Sequence, residues 1–357
     1  MIAVQPLFAA ISVANLDDPA IAQVIDAYVQ SHSAATPFHL TGWSRAVTKG
    51  CGQADHYLIA QGDKGVICGV LPLTLVHSPL FGRALVSSGF AVGGGVLANS
   101  DAIAQHLIDE AQQIAERLSC TTLELRSGAA SRGEGWHHDS ISYVGFVRPL
   151  AADDEAELAA IPRKQRAEVR RALGNGLSIE TGCGERDRTA HYGVYAQSVR
   201  NLGTPVFPQA LFDAVLDEFG DDADILTVHR EGRAIASVLS LYFKGSVMPY
   251  WGGGTADART WRANDLMYYA LMSHARKKAC IRFDFGRSKV GTGPAAFKHN
   301  WGFEAVPLAY AKYARNGAAP RDINPLNPKY RLQVQLWQKL PLWMANRIGP
   351  MIARGLG

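Results

Sequence analysis

The stretch between residues 282 and 303 concentrates side chains that could do chemistry. Phe283 and Phe285 alternate with Asp284, which is the period of a half-buried strand. Three glycines that let the backbone turn sharply and approach a ligand come next, at Gly286, Gly291 and Gly293. Arg287, Lys289 and Lys298 put three cations within twelve residues of this region. A carboxylate at a strand end beside such a loop is more than packing needs, so we predict a strand, an anion-binding loop and a short helix.

A second group of cations lies on a predicted helix that ends at Gly174-Asn175-Gly176. Arg166 and Arg170 are four residues apart and share a face of this helix, where like charges cost a few tenths of a kcal/mol. An anion bound between them would offset that cost. The alternative is a solvated basic face paired with the preceding acids, at Asp153, Asp154 and Glu157. Both interpretations stay open.

Length and composition suggest a two-domain protein with a large core. The chain has 357 residues, of which 47% are hydrophobic. It has no apolar run long enough to span a bilayer, and its start lacks the pattern of a secretory signal. Five cysteines are scattered without a C-x-x-C pair, which argues against a disulfide framework and a zinc site. We therefore predict a reduced, cytoplasmic protein with no metal.

The charge is concentrated at the C-terminus. The net charge is +4, but from Ile323 onward there are five cations and no Asp or Glu. Such local basicity argues against a protein that coats nucleic acid. Apolar residues in this tail recur at helical spacing, broken by Pro341 and Pro350. The tail could lie on an anionic membrane surface, or it could pack on its own domain or on a partner.

A repeat is the most informative feature of the remaining chain. Two strands are predicted around the Asp63-Lys64-Gly65 turn, and two more around Arg230-Glu231-Gly232. In each half a third strand ends in a triple glycine, Gly93–Gly95 or Gly252–Gly254, and a helix follows. Each helix leads to a cysteine that opens a strand, and these cysteines, Cys120 and Cys280, are 160 residues apart. The chain is thus predicted to contain a duplicated α/β unit, with Glu124 and Asp284 at equivalent places.

The predicted fold class is α/β (α+β), with two domains that each hold a mixed, mostly antiparallel sheet flanked by helices. We place the first domain at residues 1–150 and a basic interdomain helix within 151–176. The second domain spans 177–318, and the basic amphipathic tail spans 319–357.

The order of elements in each unit resembles the GNAT N-acetyltransferase fold, and the duplication resembles the FemABX aminoacyltransferases. The segment from Phe283 to Phe303 looks like their late signature. The spacing from Arg166 to Gly176 looks like their basic helix, and Thr36 to Trp43 resembles their early loop. Together these features, over about residues 10 to 315, most resemble FemAB-like proteins associated with PEP-CTERM/exosortase and exopolysaccharide systems.

This resemblance implies roles for individual residues. Phe297 and Lys298 match the pair that lies where an aminoacyl ester meets the acceptor amine, and the lysine would stabilise the oxyanion. Asp284 would orient the amine or accept its proton, unless it only positions Arg287. Lys298 could instead pair structurally with Asp284 or Glu304. Further substrate-binding candidates are Arg287, Ser288, Tyr250, Arg166, Arg170, His39 and Trp43, with capping of a helix as the alternative for His39.

The predicted function is acyl or aminoacyl transfer to an amine in cell-envelope or exopolysaccharide assembly. No bound cofactor is expected, because the donor, an aminoacyl-tRNA or an acyl-CoA, is a co-substrate. Acetyl-CoA is disfavoured because residues 252–260 do not fit the Q/R-x-x-G-x-G/A loop that holds pyrophosphate. The alternatives are an acetyl-CoA-dependent N-acetyltransferase and a non-enzymatic envelope scaffold. The acceptor would be an envelope or exopolysaccharide precursor, handled in the cytoplasm or at the inner face of the membrane.

Overall fold

The computed structural model describes residues 8–126, 133–314 and 331–357, with side chains from residue 10 onward. These residues form two compact units. The first consists of the described residues up to 140 together with 309–314 and 354–357. The second consists of residues 141–308 and 331–353.

The elements up to residue 140 are β1 (Phe8–Val13), α1 (Pro19–Ser31), α2 (Thr41–Cys51), β2 (Ala54–Asp55), β3 (Leu58–Gly62), β4 (Ile67–Leu71), β5 (Thr74–Ser78), β6 (Gly82–Ser87), β7 (Leu97–Ala98), α3 (Asp101–Arg117), β8 (Thr122–Arg126) and β9 (Trp136–Asp139). The later elements are β10 (Tyr143–Pro149), α4 (Asp154–Ala160), α5 (Arg163–Leu173), β11 (Ser178–Gly182), α6 (Glu185–Leu202), α7 (Gln209–Phe219), β12 (Ala223–Arg230), β13 (Arg233–Phe243), β14 (Ser246–Gly254), α8 (Ala256–Trp261), α9 (Ala263–Lys277), β15 (Arg282–Lys289), α10 (Gly293–Asn300), β16 (Ala305–Pro307), β17 (Tyr310–Tyr313), α11 (Arg331–Lys339) and α12 (Leu342–Ala353).

The first unit holds two sheets, with strand orders β1-β3-β4-β7 and β2-β5-β6-β8-β17-β9. Their pairs are antiparallel except for β6 and β8, which run parallel. Helix α3 closes the core because its apolar residues recur every three to four positions, and Leu107, Ile108 and Ala111 are almost completely buried. The predicted mixed, mostly antiparallel sheet flanked by helices is confirmed here.

The second unit is one seven-stranded sheet of order β11-β12-β13-β14-β15-β10-β16. Among the described strands of this unit, only β14 and β15 pair in parallel. Its core joins apolar residues of β12 to β15 with α5 and α9, and it includes the fully buried Met267, Phe283 and Trp301. Helix α6 packs on β13 and β14. The duplicated α/β organisation is therefore present, although the two units assemble their sheets differently.

Two strands belong to a different unit from the one in which the sequence placed them. β10, which we placed in the domain 1–150, pairs with β15 and β16 in the second unit. β17, which we placed in the domain 177–318, pairs with β8 and β9 in the first unit. The basic segment 151–176 forms α4 and α5, and both helices belong to the second unit. A strand's partner is a long-range choice, which explains these differences from the predicted boundaries.

The two triple glycines are not equivalent in the structure. Gly252–Gly254 form the end of β14 and pair with β13. Gly93–Gly95 follow β6, which ends at Ser87, and they lie outside any strand. The similarity that suggested matching strand ends therefore reflects a shared composition rather than a shared position.

The single helix predicted after Gly252–Gly254 is two helices in the structure, α8 and α9, which are separated at Arg262. This residue has a left-handed backbone with φ of 57°. Its guanidinium donates hydrogen bonds to the carboxylate of Glu168 on α5 and to the carbonyl of Arg259. These contacts fix a conformation that L-residues otherwise disfavour.

Residues 331–353 of the C-terminal tail pack on the second unit. The Nη1 atom of Arg200 on α6 donates to the carbonyl of Gln338 at 3.0 Å. Pro341 separates α11 from α12 as expected, whereas the break predicted at Pro350 is wrong because Pro350 lies within α12. Ala345, Gly349 and Ala353 are buried along one face of α12 and hold the helix through the proline. Within the described ranges, no helix is long and apolar enough to cross a membrane.

Candidate functional site

The candidate site is a pocket between β14 and β15. These strands pair only where Ser246 meets Arg282 and Val247 meets Phe283. Farther along, β14 continues to pair with β13 and β15 with β10, so the two strands part. The gap holds a pocket of about 700 Å³, lined by Gly252–Gly254, Phe285 and Lys298 among others. An opening in the middle of a sheet exposes unpaired backbone groups that a ligand can use.

The corresponding parallel pair in the first unit does not part in this way. β6 and β8 pair at four successive positions, up to Ser87 and Leu125. The next residue, Arg126, donates its backbone N–H to the Ser87 hydroxyl at 3.0 Å. Its Nη1 atom donates to the carbonyls of Ser88 and Ala91 at 3.2 and 2.7 Å. A buried arginine therefore closes the end of this strand pair, where the second unit has its pocket.

The glycines of β14 allow helices α6 and α8 to pack close to this strand. A Cβ atom at Gly253 would lie 2.3 Å from the Oγ atom of Ser198 on α6. A Cβ at Gly254 would lie 2.6 Å from the Cβ of Ala258 on α8. Both distances are far below van der Waals contact. Helices α6 and α8 can therefore approach the strand closely only because these side chains are missing.

We expect Gly253→Ala to destabilise the protein by about 1–3 kcal/mol, since the new methyl overlaps Ser198 and forces β14 away from α6. Ser198→Gly alone should cost about 1 kcal/mol, because glycine weakens the interior of a helix. In the double variant the overlap is absent, so the total loss of stability should be smaller than the sum of the two single losses. Denaturant unfolding of the two single variants and the double variant measures this coupling. Strict additivity of the two effects would contradict the predicted contact.

Lys298 lies on α10 and reaches into the pocket. Its Nζ atom donates to the carbonyls of Gly286 and Arg287 at 3.1 and 2.9 Å. Burial lowers the pKa of Lys298 to about 8; the nearby Arg287 charge adds to this shift, and Asp284 opposes it. Asp284 acts on the ammonium through space and is not one of these hydrogen-bond partners. An amine with a pKa near neutrality can exist in both protonation states under ordinary conditions.

Asp284 stabilises the loop that carries the acceptors of Lys298. Its Oδ1 atom accepts a hydrogen bond from the Gly286 N–H at 2.8 Å. Gly286 has φ of +68°, a conformation that glycine adopts without the cost of a side chain. Burial raises the pKa of Asp284, while the Gly286 hydrogen bond and the Lys298 charge oppose the shift. This geometry makes Asp284 a positioning residue for the loop and for Lys298.

Aromatic rings form one side of the pocket. The ring centroid of Tyr268 lies 4.7 Å from Phe285 and 5.7 Å from Phe297. Burial raises the pKa of Tyr268 to about 12, so its hydroxyl stays protonated at physiological pH. Phe297 and Lys298 therefore sit together at the pocket, with an apolar surface beside a cation.

Three other predicted site residues belong to the same two strands but lie beside the pocket. The guanidinium carbon of Arg287 lies 4.7 Å from the ring centroid of Tyr143. The Ser288 hydroxyl is buried and has no hydrogen-bond partner among the described residues. Tyr250 packs edge-on against Trp251, with their centroids 4.8 Å apart. None of the three is among the residues that line the pocket.

The basic helix is placed by its packing on α9. Gln165 on α5 donates to Asp265 at 2.6 Å. Arg166 donates its Nε atom to the carbonyl of Ile161 at 3.1 Å, and Arg170 is exposed. Neither arginine lines the pocket.

The candidates of the early loop are buried in the first unit. His39 Nδ1 accepts from the Thr36 N–H at 3.0 Å, and its Nε2 lies 2.9 Å from the Gly95 carbonyl. Trp43 donates its indole N–H to the Gly89 carbonyl at 3.0 Å. Both side chains therefore have structural partners, and the capping alternative describes the geometry of His39.

Several lining residues were missed by sequence reasoning, namely Ser198, Asn201, Arg259, Asn264 and Tyr268. Ser198 and Asn201 come from the end of α6, which precedes β14 by more than forty residues. Only tertiary packing brings them to the strand. A weak signal existed for Tyr268, which lies on the predicted helix that follows the triple glycine.

Residues 252–260, the segment compared with the pyrophosphate loop of acetyl-CoA enzymes, form the end of β14 and most of α8, and residues 252–256 line the pocket. Arg262 follows α8 and pairs with Glu168 on α5. Among the described residues there is also no group of His, Cys, Asp and Glu that could hold a metal ion.

Residues 162–299 match the family described as "Acetyltransferase (GNAT) domain". A search of curated proteins gives no match. Among solved structures, the chain is similar to FemX, with a TM-score of 0.64 and 16% identity over 86% of this chain and 98% of that chain. It is also similar to a tandem GNAT protein from the clavulanic acid biosynthesis pathway, with a TM-score of 0.55 and 14% identity over 87% and 99% of the two chains. L-PGS from Bacillus licheniformis gives a TM-score of 0.53 and 13% identity over 89% and 97%.

At such low identity these similarities show the fold alone. The pocket and the Phe297–Lys298 pair both lie within the matched family segment. The predicted tandem GNAT-like fold is confirmed, and the prediction of an acyltransferase is confirmed at the level of the domain. The chain has a tandem GNAT-like fold, and residues 162–299 of its second unit match an acetyltransferase (GNAT) domain.

Proposed function

We propose that the protein transfers an acyl group, in the manner of FemAB-type aminoacyltransferases, from an activated ester to an amine. The observation that carries this proposal is the parting of β14 and β15 around a pocket that contains Lys298. The pocket has both an apolar aromatic wall and a cation, which suits an acyl chain next to a carbonyl that becomes negatively charged.

In the proposed reaction, the amine nitrogen attacks the ester carbonyl directly. The ammonium of Lys298 stabilises the tetrahedral oxyanion, and the two carbonyls that it contacts hold it in place. When the intermediate collapses, the carbon–oxygen ester bond breaks, the leaving oxygen gains a proton and the attacking nitrogen loses one. The residues of the pocket include no serine or cysteine paired with a base, so we infer no covalent enzyme intermediate.

The finer parts of the proposal concern the reaction partners. The donor is an aminoacyl-tRNA or another activated acyl ester used as a co-substrate, and the acceptor is an amine on an envelope or exopolysaccharide precursor. The sequence resemblance to FemAB-like proteins of PEP-CTERM/exosortase systems and the similarity in fold to FemX support this choice. Such acceptors place the protein in the cytoplasm, at the inner face of the membrane.

An acyl-transfer screen tests the function. The purified protein is incubated with aminoacyl-tRNA, acyl-CoA or acyl-carrier donors and with amine-bearing envelope sugar nucleotides, and the products are identified by mass spectrometry. The expected result is turnover that requires an ester donor and falls by about a hundredfold or more in Lys298→Ala. Folded protein that turns over no donor with any acceptor would show that the proposal is wrong.

A second candidate is acetyl-CoA-dependent N-acetylation, which the family description of residues 162–299 favours. The failure of residues 252–260 to fit the Q/R-x-x-G-x-G/A pattern argues against it. Thermal unfolding with and without coenzyme A separates the two. We expect no change in the unfolding temperature, whereas clear protection by coenzyme A would favour the acetyltransferase.

A further inference from the structure

Helix α12 turns large apolar side chains outward and its small ones inward. On α12 the buried residues are Ala345, Gly349 and Ala353. On the same helix Trp343 is 70% exposed and Met351 is 64% exposed. Ordinary surface helices show the reverse pattern, with large apolar residues packed against the core.

The inward face is fixed by close packing that needs small residues. A Cβ atom at Gly349 would lie 3.0 Å from the backbone nitrogen of Val206. On α11, Val334 faces α6 so closely that a Cβ at Gly203 would lie 2.4 Å from its Cγ1 atom. The helices therefore cannot roll to bury their outer side chains without losing these contacts.

The outward faces of both helices combine apolar residues with cations. At 100° per residue, Trp343, Arg347 and Met351 share the face opposite Ala345 and Gly349. Leu332 and Leu336, which are 67% and 58% exposed, lie with Lys339 on the side of α11 opposite Val334. From Arg331 to Ala353 the sequence contains no Asp or Glu.

We propose that the outer faces of α11 and α12 dock the protein on an anionic lipid surface. Tryptophan and leucine would enter the boundary between headgroups and acyl chains, while Lys339 and Arg347 contact lipid phosphates. An acidic membrane complements a stripe that holds cations and no acid, whereas a protein partner would need its own acidic and apolar pattern. This inference rests on the proposed function for the location at the inner face of the membrane and identifies the surface that would bind there. It does not depend on whether the protein is catalytically active.

Vesicle co-sedimentation with the full chain tests this surface. Vesicles are made of phosphatidylcholine alone or of an equimolar mixture with phosphatidylglycerol. We expect binding to the mixed vesicles that weakens as salt is raised, and little binding to the neutral ones. Trp343→Ser combined with Met351→Ser, and Lys339→Glu combined with Arg347→Glu, should each weaken binding about tenfold or more.

Matched controls change equally exposed residues elsewhere. Ile281→Ser removes an apolar side chain that is 65% exposed, and Lys277→Glu reverses an exposed charge; neither should alter binding. Circular dichroism and thermal unfolding confirm that each variant is folded. Equal binding to neutral and anionic vesicles, or binding unchanged by the outer-face variants, would overturn the inference.

Light scattering tests whether a second copy of the chain, rather than lipid, covers the outer faces of α11 and α12. A dimer that forms without lipid and dissociates in Trp343→Ser would show that the surface joins two copies of the chain, which also overturns the inference. Acyl transfer to a water-soluble acceptor is measured in parallel. If transfer persists while vesicle binding is absent, the docking surface fails and the proposed activity stands.

Discussion

Lys298→Ala should lower the rate of acyl transfer by about a hundredfold to a thousandfold, since it removes the cation that faces the developing oxyanion. The side chain is held by the carbonyls of Gly286 and Arg287, so its charge is already in place before the reaction. We expect the loss in kcat, because the ammonium interacts more strongly with the tetrahedral state than with the neutral ester. Steady-state kinetics with the donor found in the screen measures this effect.

The pH dependence tests whether Lys298 acts as a cation. Its pKa is lowered to about 8, so it loses its charge as the pH rises through that value. Arginine stays protonated throughout this range. The ratio of wild-type to Lys298→Arg rates should therefore be constant below about pH 8 and fall above it, and the titration of the acceptor amine cancels in the ratio.

A ratio that rises through pH 8 instead would mean that neutral Lys298 accepts a proton as a base. Lys277→Ala serves as the control, since this lysine is exposed at the end of α9 and should leave the rate unchanged. A Lys298→Ala variant that is folded and retains wild-type kcat would exclude a catalytic role for this residue.

Glu157→Ala should destabilise the second unit by about 3–5 kcal/mol, since it removes the buried carboxylate that two largely buried arginines, Arg148 and Arg276, share. The Glu157 side chain is completely buried. It accepts from Arg148 at 2.5 Å, from Arg276 at 3.2 Å and from the Ala151 N–H at 2.8 Å. Strand β10, helix α4 and helix α9 are joined through this one carboxylate.

This ion cluster also supports the pocket. The guanidinium carbon of Arg148 lies 4.7 Å from the ring centroid of Phe303, and Phe303 packs 5.0 Å from Phe285, centroid to centroid. Denaturant unfolding followed by tryptophan fluorescence measures the loss of stability. Glu155→Ala is the matched control because Glu155 is exposed on the same helix and should change stability by less than about 0.5 kcal/mol. Equal effects of the two variants would contradict the prediction.

Much of the secondary structure could be predicted from the sequence because helix caps, turns and periodic patterns depend on neighbouring residues. Asp18 accepts hydrogen bonds from the Ala20 and Ile21 N–H groups and caps α1, as its position before Pro19 predicts. The turns after β3 and β12 lie where the charged glycine motifs placed them. The period of alternation identified β15, and helical spacing identified α3 and α9. Each of these features depends on residues a few positions apart.

The candidate site was readable only in part. The pairing of Phe297 with Lys298 is a sequence motif, and the structure places both at the pocket. The catalytic role that the resemblance implied for Asp284 stays a prediction; in the structure its carboxylate accepts a hydrogen bond from the Gly286 N–H, and the side chain does not line the pocket. The orientation of a side chain at a strand end depends on the turn that follows the strand. Here the positive φ of Gly286 sets that turn.

The sequence by itself determined the duplicated α/β organisation, most helices and strands, and the Phe297–Lys298 pair on a short helix. Tertiary structure alone decided that β14 and β15 part while β6 and β8 stay paired. It also decided that β10 and β17 complete sheets far from their sequence neighbours. The reason is physical: helix periods, caps and turns arise from contacts within a few residues, whereas strand pairing and pocket walls depend on which distant backbone offers matching hydrogen bonds and enough space.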